Sequence, residues 1–423
     1  MTDELHVYLA TEYVGRLSRT RSGRAEFSYD ADWQSRADAR PLSLSMPLAA
    51  LQHGPPVVEP YLWGLLPDNE FILEAWARRF HVSARNVLAL LAHVGADCPG
   101  AVRILRSKTS KEDPGNIEWL DSVEIAERLR RLREDISAWR MPSDSGQFSL
   151  AGAQPKTALC FDGKRWGVPS GSAPTTHILK PGVLALDGSA YNEHFCLSLT
   201  RELGLPTAAS TIEYFEDEIA IVVARYDRRV SEHGVQRIHQ EDLCQALGVH
   251  PARKYQNEGG PGPRAIAQLL REASTRPAED VGTFLSALAL NWLIAGTDAH
   301  AKNYSLLIGV QGRSRLAPLY DIASALPYPE MPAQKLKLAM KIGGKYRLRA
   351  IGRYEWEKLA KELGLAAEQV LSVTRQLARQ LPDASSTVLN HMSSQGAEHD
   401  ILPKLHAALV ARSTQCQRLL GTA

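Results

Sequence analysis

A polar loop between residues 297 and 303 carries side chains that are suited to phosphoryl transfer. Asp298 and Asn303 are five positions apart, as are the Asp and Asn of the protein-kinase catalytic loop. In that chemistry the Asp accepts the proton of the attacking hydroxyl, and the Asn holds Mg²⁺. Asp321 follows after a strand-like run and a turn, where a second metal-binding Asp is needed. The alternative is a polar loop whose Asp and Asn only cap turns, as most such residues do. The H-R-D and D-F-G motifs of protein kinases are absent from the sequence.

The segments on either side of this loop are predicted to hold it in place. An apolar run over residues 288–294 leads in, and a strand-like run over 304–308 leads out. Gly296 and Thr297 interrupt the helical pattern just before Asp298. Catalytic loops are built with rigid flanks and a polar tip, so we expect a short loop fixed at both ends.

The composition predicts a globular protein of a reducing compartment. The 423 residues suffice for two or three domains, and 44% of them are hydrophobic. A net charge of +2 gives no reason to expect non-specific nucleic-acid binding by the whole surface. The five scattered cysteines form no CxxC pair and predict reduced thiols. No signal peptide and no membrane-length apolar run is found in the sequence, which predicts a cytoplasmic protein without a membrane partner.

A second loop, between two strand-like segments, is a candidate for phosphate binding. The small residues at 151–153 would let backbone N–H groups approach an anion closely. Lys156 and the threonine after it resemble the end of a Walker A motif, although Pro155 stands where a glycine would be. An ordinary β-turn is the alternative. Further on, the strand 177–180 ends in Lys180, which could contact ATP phosphates, although most single lysines lie on the surface.

The order of the elements predicts an α/β (α+β) fold of the protein-kinase type, with two lobes and an extra amino-terminal subdomain. Residues 1–107 contain a hairpin, further strands at 25–29 and 41–46, and two helices, and they form that α/β subdomain. Residues 108–228 form a β-rich small lobe that ends in a buried strand and a polar hinge. Residues 229–423 form an all-helical large lobe, which carries Asp298.

Nine segments in this order resemble the HipA family of bacterial serine/threonine kinase toxins. They run from residue 39 to about 330, and the amino-terminal unit resembles the extra domain of that family. The last hundred residues match only in being helical. The matching segments are ARPLSLSMPL (39–48), LLPD (65–68), SLAGAQPKTAL (149–159), HILK (177–180), YDRR (226–229), QEDLCQ (240–245), KYQNEGGPG (254–262), TDAHAKN (297–303) and LYDI (319–322).

The resemblance implies a role for each matching residue. Asp298 would accept the proton, and Asn303 and Asp321 would hold Mg²⁺. Ser149 occupies the position that family members autophosphorylate. ATP would be contacted by the phosphate loop, the strand lysine, the hinge backbone and the catalytic region, which together comprise Ala151, Gly152, Ala153, Gln154, Pro155, Lys156, Lys180, Ala224, Arg225, Tyr226, His300, Ala301, Lys302, Asn303, Tyr320 and Asp321.

Two residues depart from the family pattern. Ala224 stands where an acidic residue is common, which is harmless if only its carbonyl contacts the adenine. Pro155 also replaces a commonly acidic residue, and it removes one N–H donor from the phosphate loop.

The cofactors implied are ATP and Mg²⁺, and the implied activity is a protein serine/threonine kinase that acts as a toxin. The implied partners are a helix-turn-helix antitoxin resembling HipB, operator DNA reached mainly through that antitoxin, and a protein substrate of the aminoacyl-tRNA synthetase class, notably the glutamyl enzyme. A dimer within the antitoxin complex is also implied. Two other functions remain open from the residues alone: a nucleotide-binding co-repressor with a degenerate kinase site, and a small-molecule kinase of related fold.

Overall fold

The computed structural model describes residues 4–108, 115–141, 143–144, 147–232 and 234–421, which fall into two compact units. The first unit comprises Met1–Pro181, Tyr214–Arg253 and Ser305–Arg315. The second comprises Gly182–Glu213, Lys254–Tyr304 and Leu316–Ala423. The candidate phosphate loop therefore belongs to the first unit, and the candidate catalytic loop to the second. The predicted domain boundaries at 107 and 228 stay predictions.

The amino-terminal sheet of the first unit has five strands in the order β4-β3-β2-β1-β5. Its neighbouring strands pair in antiparallel fashion, and Leu5 of β1 lies opposite Leu17 of β2. The predicted helix after Pro67 begins at Glu70, where the Asn69 side chain accepts the N–H of Phe71. The elements are β1 (Leu5–Leu9), β2 (Glu12–Arg19), β3 (Ala25–Tyr29), α1 (Ala31–Ser35), β4 (Gln52–His53), α2 (Pro55–Gly64), α3 (Glu70–Phe80), α4 (Val87–Val94) and β5 (Val102–Leu105).

A second sheet has six strands in the order β10-β11-β9-β7-β8-β6. Its β9 and β11 pair in antiparallel fashion, with Lys180 opposite Ile221. Helix α5 begins with a capping box formed by Asp121 and Glu124. The elements are β6 (Asn116–Leu120), α5 (Ser122–Glu134), β7 (Thr157–Phe161), β8 (Trp166–Ser170), β9 (His177–Pro181), β10 (Ser210–Phe215) and β11 (Glu218–Ala224).

The main hydrophobic core of the first unit includes the segment that flanks Ser149. Phe148 and Leu150 are buried in the same cluster as Trp139, and that cluster extends to Leu65 of the amino-terminal region. The predicted phosphate loop is therefore anchored at its start by apolar side chains, since their burial removes them from water.

Short strands complete the first unit. Strand β14 pairs with β15, with Glu241 opposite Leu306 and Asp242 opposite Ser305, and β15 pairs with β16. Strands β12 and β13 form a separate hairpin. The elements are β12 (Arg228–Ser231), β13 (Gly234–Arg237), β14 (Gln240–Asp242), α7 (Leu243–Ala246), β15 (Ser305–Ile308) and β16 (Ser314–Leu316).

The second unit is mainly helical. Helix α9 starts with a proline at its first turn and is buried over most of its length, and it packs against α8, α11 and α12. The elements are α6 (Ser189–Glu202), α8 (Pro263–Ala273), α9 (Pro277–Ile294), β17 (Lys337–Ile342), β18 (Lys345–Arg347), α10 (Arg353–Leu363), α11 (Ala367–Ser394) and α12 (Ile401–Leu419). Single 3₁₀ turns lie at Pro251–Arg253, Gln256–Glu258, Ala301–Asn303, Val310–Gly312 and Leu348–Ala350.

Two predicted details are wrong. Residues 229–423 are not all helical, because they contain the strands β13 to β18. These strands are three to six residues long, too short for their alternation to stand out from the helical pattern around them. The predicted strand over residues 41–46 is instead a turn closed by a bridge between Ser43 and Met46. The Tyr29 hydroxyl fixes this turn, since it accepts the N–H of Leu42 and donates to the Met46 carbonyl.

The cysteines and the helices bear on two predictions made from the composition. The five cysteines are free and buried, which agrees with the predicted reduced thiols. Within the described residues, no helix is both long and apolar enough to cross a membrane.

Candidate active site

The candidate catalytic loop begins at a turn in which Gly296 packs against Asn291. Helix α9 ends at Ile294, and Ala295 follows in the left-handed conformation with a φ of 54°. The Gly296 N–H then donates to the carbonyl of Asn291 at 2.8 Å. A Cβ atom at Gly296 would lie 2.1 Å from the Asn291 Oδ1, so a larger residue would require the Asn291 side chain to move. This turn ends α9 and directs the chain toward Asp298.

The main chain of Asp298 is the point to which the loop is tied. Its carbonyl accepts the His300 N–H at 2.8 Å and the side-chain amide of Asn303 at 2.9 Å. The Asn303 N–H in turn donates to the His300 carbonyl at 3.0 Å. His300, Lys302 and Asn303 are buried, whereas Asp298 is exposed. Hydrogen bonds thus hold the main chain of the loop in place, while the Asp298 carboxylate is exposed at its surface.

Tyr255 contacts the Asp298 carboxylate from another segment of the same unit. The tyrosine hydroxyl donates to Oδ1 of Asp298. The Tyr255 and His300 rings meet edge to face, with their centroids 4.9 Å apart. The N–H of Ala301 also reaches the Lys254 carbonyl, at 3.4 Å. Tyr255 lies in the matching segment KYQNEGGPG. No spacing rule connects Tyr255 with Asp298, 43 positions away, so the sequence alone assigns the tyrosine no role.

Asp321 lies beside Asn303 in the second unit. Both residues line one cavity of about 10 Å³, together with Asn291 and Tyr320. The Tyr320 hydroxyl donates to the Lys302 carbonyl at 2.7 Å, which ties the Asp321 segment to the catalytic loop. Asp321 has a φ of 57°, a left-handed conformation that Asp tolerates better than most residues. The residues predicted to share one function are therefore brought together.

A buried hydrogen-bond network anchors the segment that follows Asp321. Asn192 of α6 donates to the Ser324 carbonyl at 2.8 Å and accepts the Ser324 N–H at 3.0 Å. The Ser324 hydroxyl donates to the carbonyl of Ile294, at the end of α9, at 2.6 Å. The Ala325 N–H donates to the Ala295 carbonyl at 3.2 Å. One set of bonds therefore fixes the end of α9 and the Asp321 segment.

The Asn303 and Asp321 pair fits a small hard cation. The Asn303 amide nitrogen is committed to the Asp298 carbonyl, so its oxygen is the atom left to ligate a metal. A carboxylate and an amide oxygen are ligands that Mg²⁺ prefers, with phosphate oxygens and waters completing the coordination. Among the described residues, no cluster of three or more His, Cys, Asp or Glu is placed to hold a metal.

The candidate phosphate loop, residues 151–156, folds back on itself in the first unit. Lys156 is buried, and its ammonium group donates to the Ala151 carbonyl at 2.8 Å and lies 5.1 Å from the centre of the Trp139 ring. Gly152 has a φ of 100°, and a Cβ atom there would lie 2.6 Å from the Lys156 nitrogen. The Gly152 carbonyl accepts the N–H of Asp68 at 3.1 Å. The positive φ favours glycine at this position, and a Cβ atom there would also require the end of the Lys156 side chain to move.

Ser149 is fully buried at the start of this loop, with a relative exposure of 0%. Its hydroxyl donates to the Leu65 carbonyl at 2.5 Å, and its N–H donates to the Asp97 carbonyl at 3.0 Å. The Ser149 hydroxyl thus contacts a residue 84 positions away rather than its own backbone. The serine in this state is not accessible to a phosphoryl donor.

Comparison with known proteins identifies the family. The model of the HipA-like C-terminal domain matches residues 148–385, and that of the HipA N-terminal domain matches residues 5–105. The chain belongs to the HipA family. A protein of Sinorhizobium fredii named "Putative kinase Y4mE" is 34% identical, over 95% of this chain and 98% of that protein. The serine/threonine-protein kinase toxin HipA of Shewanella oneidensis is 28% identical, over 99% and 96% of the two chains.

A solved structure agrees with this assignment. The chain matches a structure described as the Shewanella oneidensis toxin–antitoxin system HipA, HipB and its operator DNA complex, with a TM-score of 0.84. The two chains are 27% identical, and the match covers 99% of this chain and 97% of that one. The predicted family, the mixed α/β fold and the enzyme class of protein kinase are confirmed.

The residues predicted at the HipA hinge lie at the end of β11. The Arg225 N–H donates to the Thr176 carbonyl at 2.9 Å, and the Tyr226 hydroxyl donates to Gln240 Oε1 at 2.5 Å. Arg225 forms ion pairs with Asp227 at 2.8 Å and with Asp97 at 3.5 Å. Burial alone would raise the pKa of Asp97, but Arg228, Arg237 and Arg225 hold it well below its usual value. The Arg225 side chain is thus structural, and the adenine contact of residues 224–226 stays a prediction.

Lys180 and the nucleotide contacts assigned to other HipA-type positions also stay predictions. Lys180 is buried on β9 and is therefore not one of the surface lysines that the alternative expects. Lysine is rarely buried without a partner, so its burial favours a specific role over the surface alternative.

Proposed function

We propose that this chain is an ATP- and Mg²⁺-dependent protein serine/threonine kinase and the toxin of a toxin–antitoxin pair. The observation that carries the proposal is the arrangement of Asp298, Asn303 and Asp321 in the second unit. Asn303 binds the Asp298 main chain and lines one cavity with Asp321. A base and two hard oxygen ligands at these spacings are what phosphoryl transfer requires.

Asp298 would act as the base for the acceptor hydroxyl. The oxygen of a serine or threonine would form a bond to the γ-phosphorus, the bond between that phosphorus and the β–γ bridging oxygen would break, and the hydroxyl proton would pass to the Asp298 carboxylate. Mg²⁺, when bound, would neutralise phosphate charge, and Asn303 and Asp321 would hold it. The exposure of Asp298 is compatible with this role, because an acceptor protein must reach the carboxylate.

The nucleotide contacts proposed are those that the family resemblance implies. Lys156, Lys180 and the backbone of residues 151–154 would bind phosphates, and the hinge backbone would bind adenine. His300, Lys302 and Tyr320 are proposed as further contacts. In the structure Lys156 binds the Ala151 carbonyl, so it would have to exchange this bond for a phosphate oxygen. Pro155 supplies no N–H to the phosphates.

Ser149 would be the site of self-inactivation. A phosphate there would add about −1.5 to −2 charges at pH 7 and three strong acceptor oxygens. These oxygens would compete for Lys156 and for the backbone donors of the loop. The packed position of Ser149, between Phe148 and Leu150 in the core, could not hold a phosphate of that charge, so the modified loop would stay out of its packed position.

The partners proposed are a HipB-like antitoxin and, through it, operator DNA, with a dimer of the chain within that complex. They are supported by the likeness to the Shewanella oneidensis complex, whose description names HipA, HipB and operator DNA. The proposed substrate is an aminoacyl-tRNA synthetase, such as the glutamyl enzyme, whose phosphorylation would inhibit translation and growth. The resemblance to the family alone supports this substrate.

The test compares the wild type with Asp298→Asn. Loss of the base should lower phosphoryl transfer from Mg²⁺·ATP about 10²- to 10⁴-fold, with ATP affinity little changed. Expressed without antitoxin, the wild type should arrest growth and Asp298→Asn should not. Asp321→Asn is the companion variant, and it should weaken binding of Mg²⁺·ATP instead. Equal transfer and equal arrest by wild type and Asp298→Asn would point to a nucleotide-binding co-repressor and would overturn the proposal.

A further inference from the structure

The loop that carries Tyr255 is fixed by its own backbone. The Tyr255 carbonyl accepts the N–H of Glu258 and the N–H of Gly260, both at 3.0 Å. Gly259 between them has a φ of 89°, a conformation that favours glycine. The neighbouring Gln256 accepts the N–H of Lys341 from β17 at 2.7 Å. Tyr255 therefore projects from a tight turn that is tied to a second element of the same unit.

The Tyr255 side chain is held as firmly as its backbone. Its ring lies edge to face with His300, which is buried and follows Asp298 by two positions. The Lys254 ammonium lies 5.7 Å from the centre of the same ring. Because the Lys254 carbonyl also accepts the Ala301 N–H, the turn and the catalytic loop meet through main-chain and side-chain contacts. The position of the tyrosine hydroxyl is thus set before any substrate binds.

We propose that Tyr255 is a positioning residue for the phosphoryl-transfer reaction and acts through Asp298. A carboxylate has two oxygens, and the tyrosine hydroxyl donates to Oδ1. This bond fixes one oxygen of an exposed carboxylate, and a shift of about 1 Å in a catalytic group can lower the rate about a hundredfold. This inference rests on the proposed function, in which Asp298 is the base.

The expected effect of Tyr255→Phe follows from the single bond that it removes. The phenylalanine ring keeps the contact with His300, so the change is confined to the hydroxyl. A hydrogen bond to a charged acceptor affects the rate about 10- to 100-fold when it is used in the transition state. The loss should fall on kcat, and KM for ATP should be unchanged, because the hydroxyl that is removed contacts the base and the phenylalanine ring keeps the contact with His300.

The experiment is a double-mutant cycle on the full chain with Mg²⁺·ATP as the probe. Four proteins are compared: wild type, Tyr255→Phe, Asp298→Asn and the double variant. Phosphate incorporation into the chain and ADP release give kcat and KM, and nucleotide titration gives the ATP affinity. Tyr346→Phe is the matched control, since Tyr346 lies in the same unit beside Lys341. Circular dichroism and thermal melting establish that each variant is folded.

The proposal requires that Tyr255→Phe lower kcat about 10- to 100-fold in the wild-type background and have no further effect in the Asp298→Asn background. A loss of equal size in both backgrounds, a raised KM for ATP, or a normal rate in Tyr255→Phe with an inactive Asp298→Asn would overturn the positioning role alone. A wild-type rate in Asp298→Asn would overturn the proposed function and the positioning role together. The outcomes of the cycle therefore separate the two failures.

Discussion

The packing around Ser149 predicts that its phosphorylation is limited by local opening of the loop. Phe148 and Leu150, on either side of the serine, are only 6% and 4% exposed. The serine itself makes two hydrogen bonds, to Leu65 and Asp97, that would have to break before its hydroxyl could reach a phosphoryl donor. The perturbation that tests this is Phe148→Ala, because it loosens the packed state without changing the serine.

The magnitude of the opening free energy can be worked from these contacts. Exposing two large apolar side chains costs about 1.5–3 kcal/mol each. Breaking two hydrogen bonds adds about 1 kcal/mol each. The sum is about 5–8 kcal/mol, which corresponds to an open fraction of about 10⁻⁴ to 10⁻⁶. With a chemical step of about 1–100 s⁻¹, typical of kinases, modification of the wild type should take minutes to days.

Phe148→Ala should shorten the time needed to phosphorylate Ser149, because alanine buries much less apolar surface in the closed state of the segment. The open state is affected little, since the phenylalanine is in water there. A reduction of about 2–3 kcal/mol in the opening free energy corresponds to a rate of phosphorylation about 30- to 150-fold higher.

The assay is intact-mass spectrometry over time with saturating Mg²⁺·ATP, followed by identification of the phosphopeptide that contains Ser149. Ser149→Ala sets the background. The matched control is Phe27→Ala, which removes an equally buried ring from the same core but far along the chain from the loop. Equal acceleration in both variants would mean that the serine is exposed by global unfolding, and no acceleration in Phe148→Ala would refute the calculation.

Two further predictions concern buried polar groups. Burial raises the pKa of Glu241 to about 8 from a usual 4.5, so its contribution to stability is complete below pH 4.5 and is lost as the pH rises toward 8. In urea titrations the free energy of unfolding of Glu241→Gln should therefore exceed that of the wild type by about 3 kcal/mol at pH 7 and should equal it near pH 4.5. A difference that does not change with pH would contradict the raised pKa of Glu241. Asn192→Leu should lower the free energy of unfolding by about 2–4 kcal/mol and weaken Mg²⁺·ATP binding, because it leaves the Ser324 N–H and carbonyl unsatisfied; unchanged melting and nucleotide titrations would refute this.

The parts of the site that the sequence predicted are those fixed by short-range rules. The spacing of Asp298 and Asn303 is meaningful because one turn brings the Asn303 amide to the Asp298 carbonyl. Gly296 marks the loop because a Cβ atom at this position would collide with the Asn291 side chain. The buried strand β11 was visible as a continuous apolar run. Each of these features depends on residues within about six positions of one another, so a single sequence contains the whole constraint.

The parts that could not be predicted depend on contacts between distant segments. Asn192 meets Ser324 across 132 positions, and each of them taken alone is an ordinary polar residue in a helix or a loop. The buried Ser149 hydroxyl donates to the Leu65 carbonyl, 84 positions earlier, and a main-chain acceptor leaves no pattern in the sequence. The Arg225 side chain is bound by Asp97, which lies 128 positions earlier, and no local sequence pattern indicates this pair.

The two carboxylates of the candidate site are held in different ways, and the difference follows from their proposed tasks. Asp321 has a left-handed backbone with a φ of 57° and is followed by the Ser324 anchor, so the main chain fixes the point from which its side chain starts. This suits a metal ligand, which must point at one site throughout the reaction. Asp298 is fixed through its carbonyl, while its carboxylate is exposed and is held by Tyr255 at one oxygen. A base must accept a proton and then release it, so in the proposed mechanism the contact with Tyr255 would hold the carboxylate in place while its proton moves. The proposed role of Tyr255 therefore follows from the exposure of Asp298.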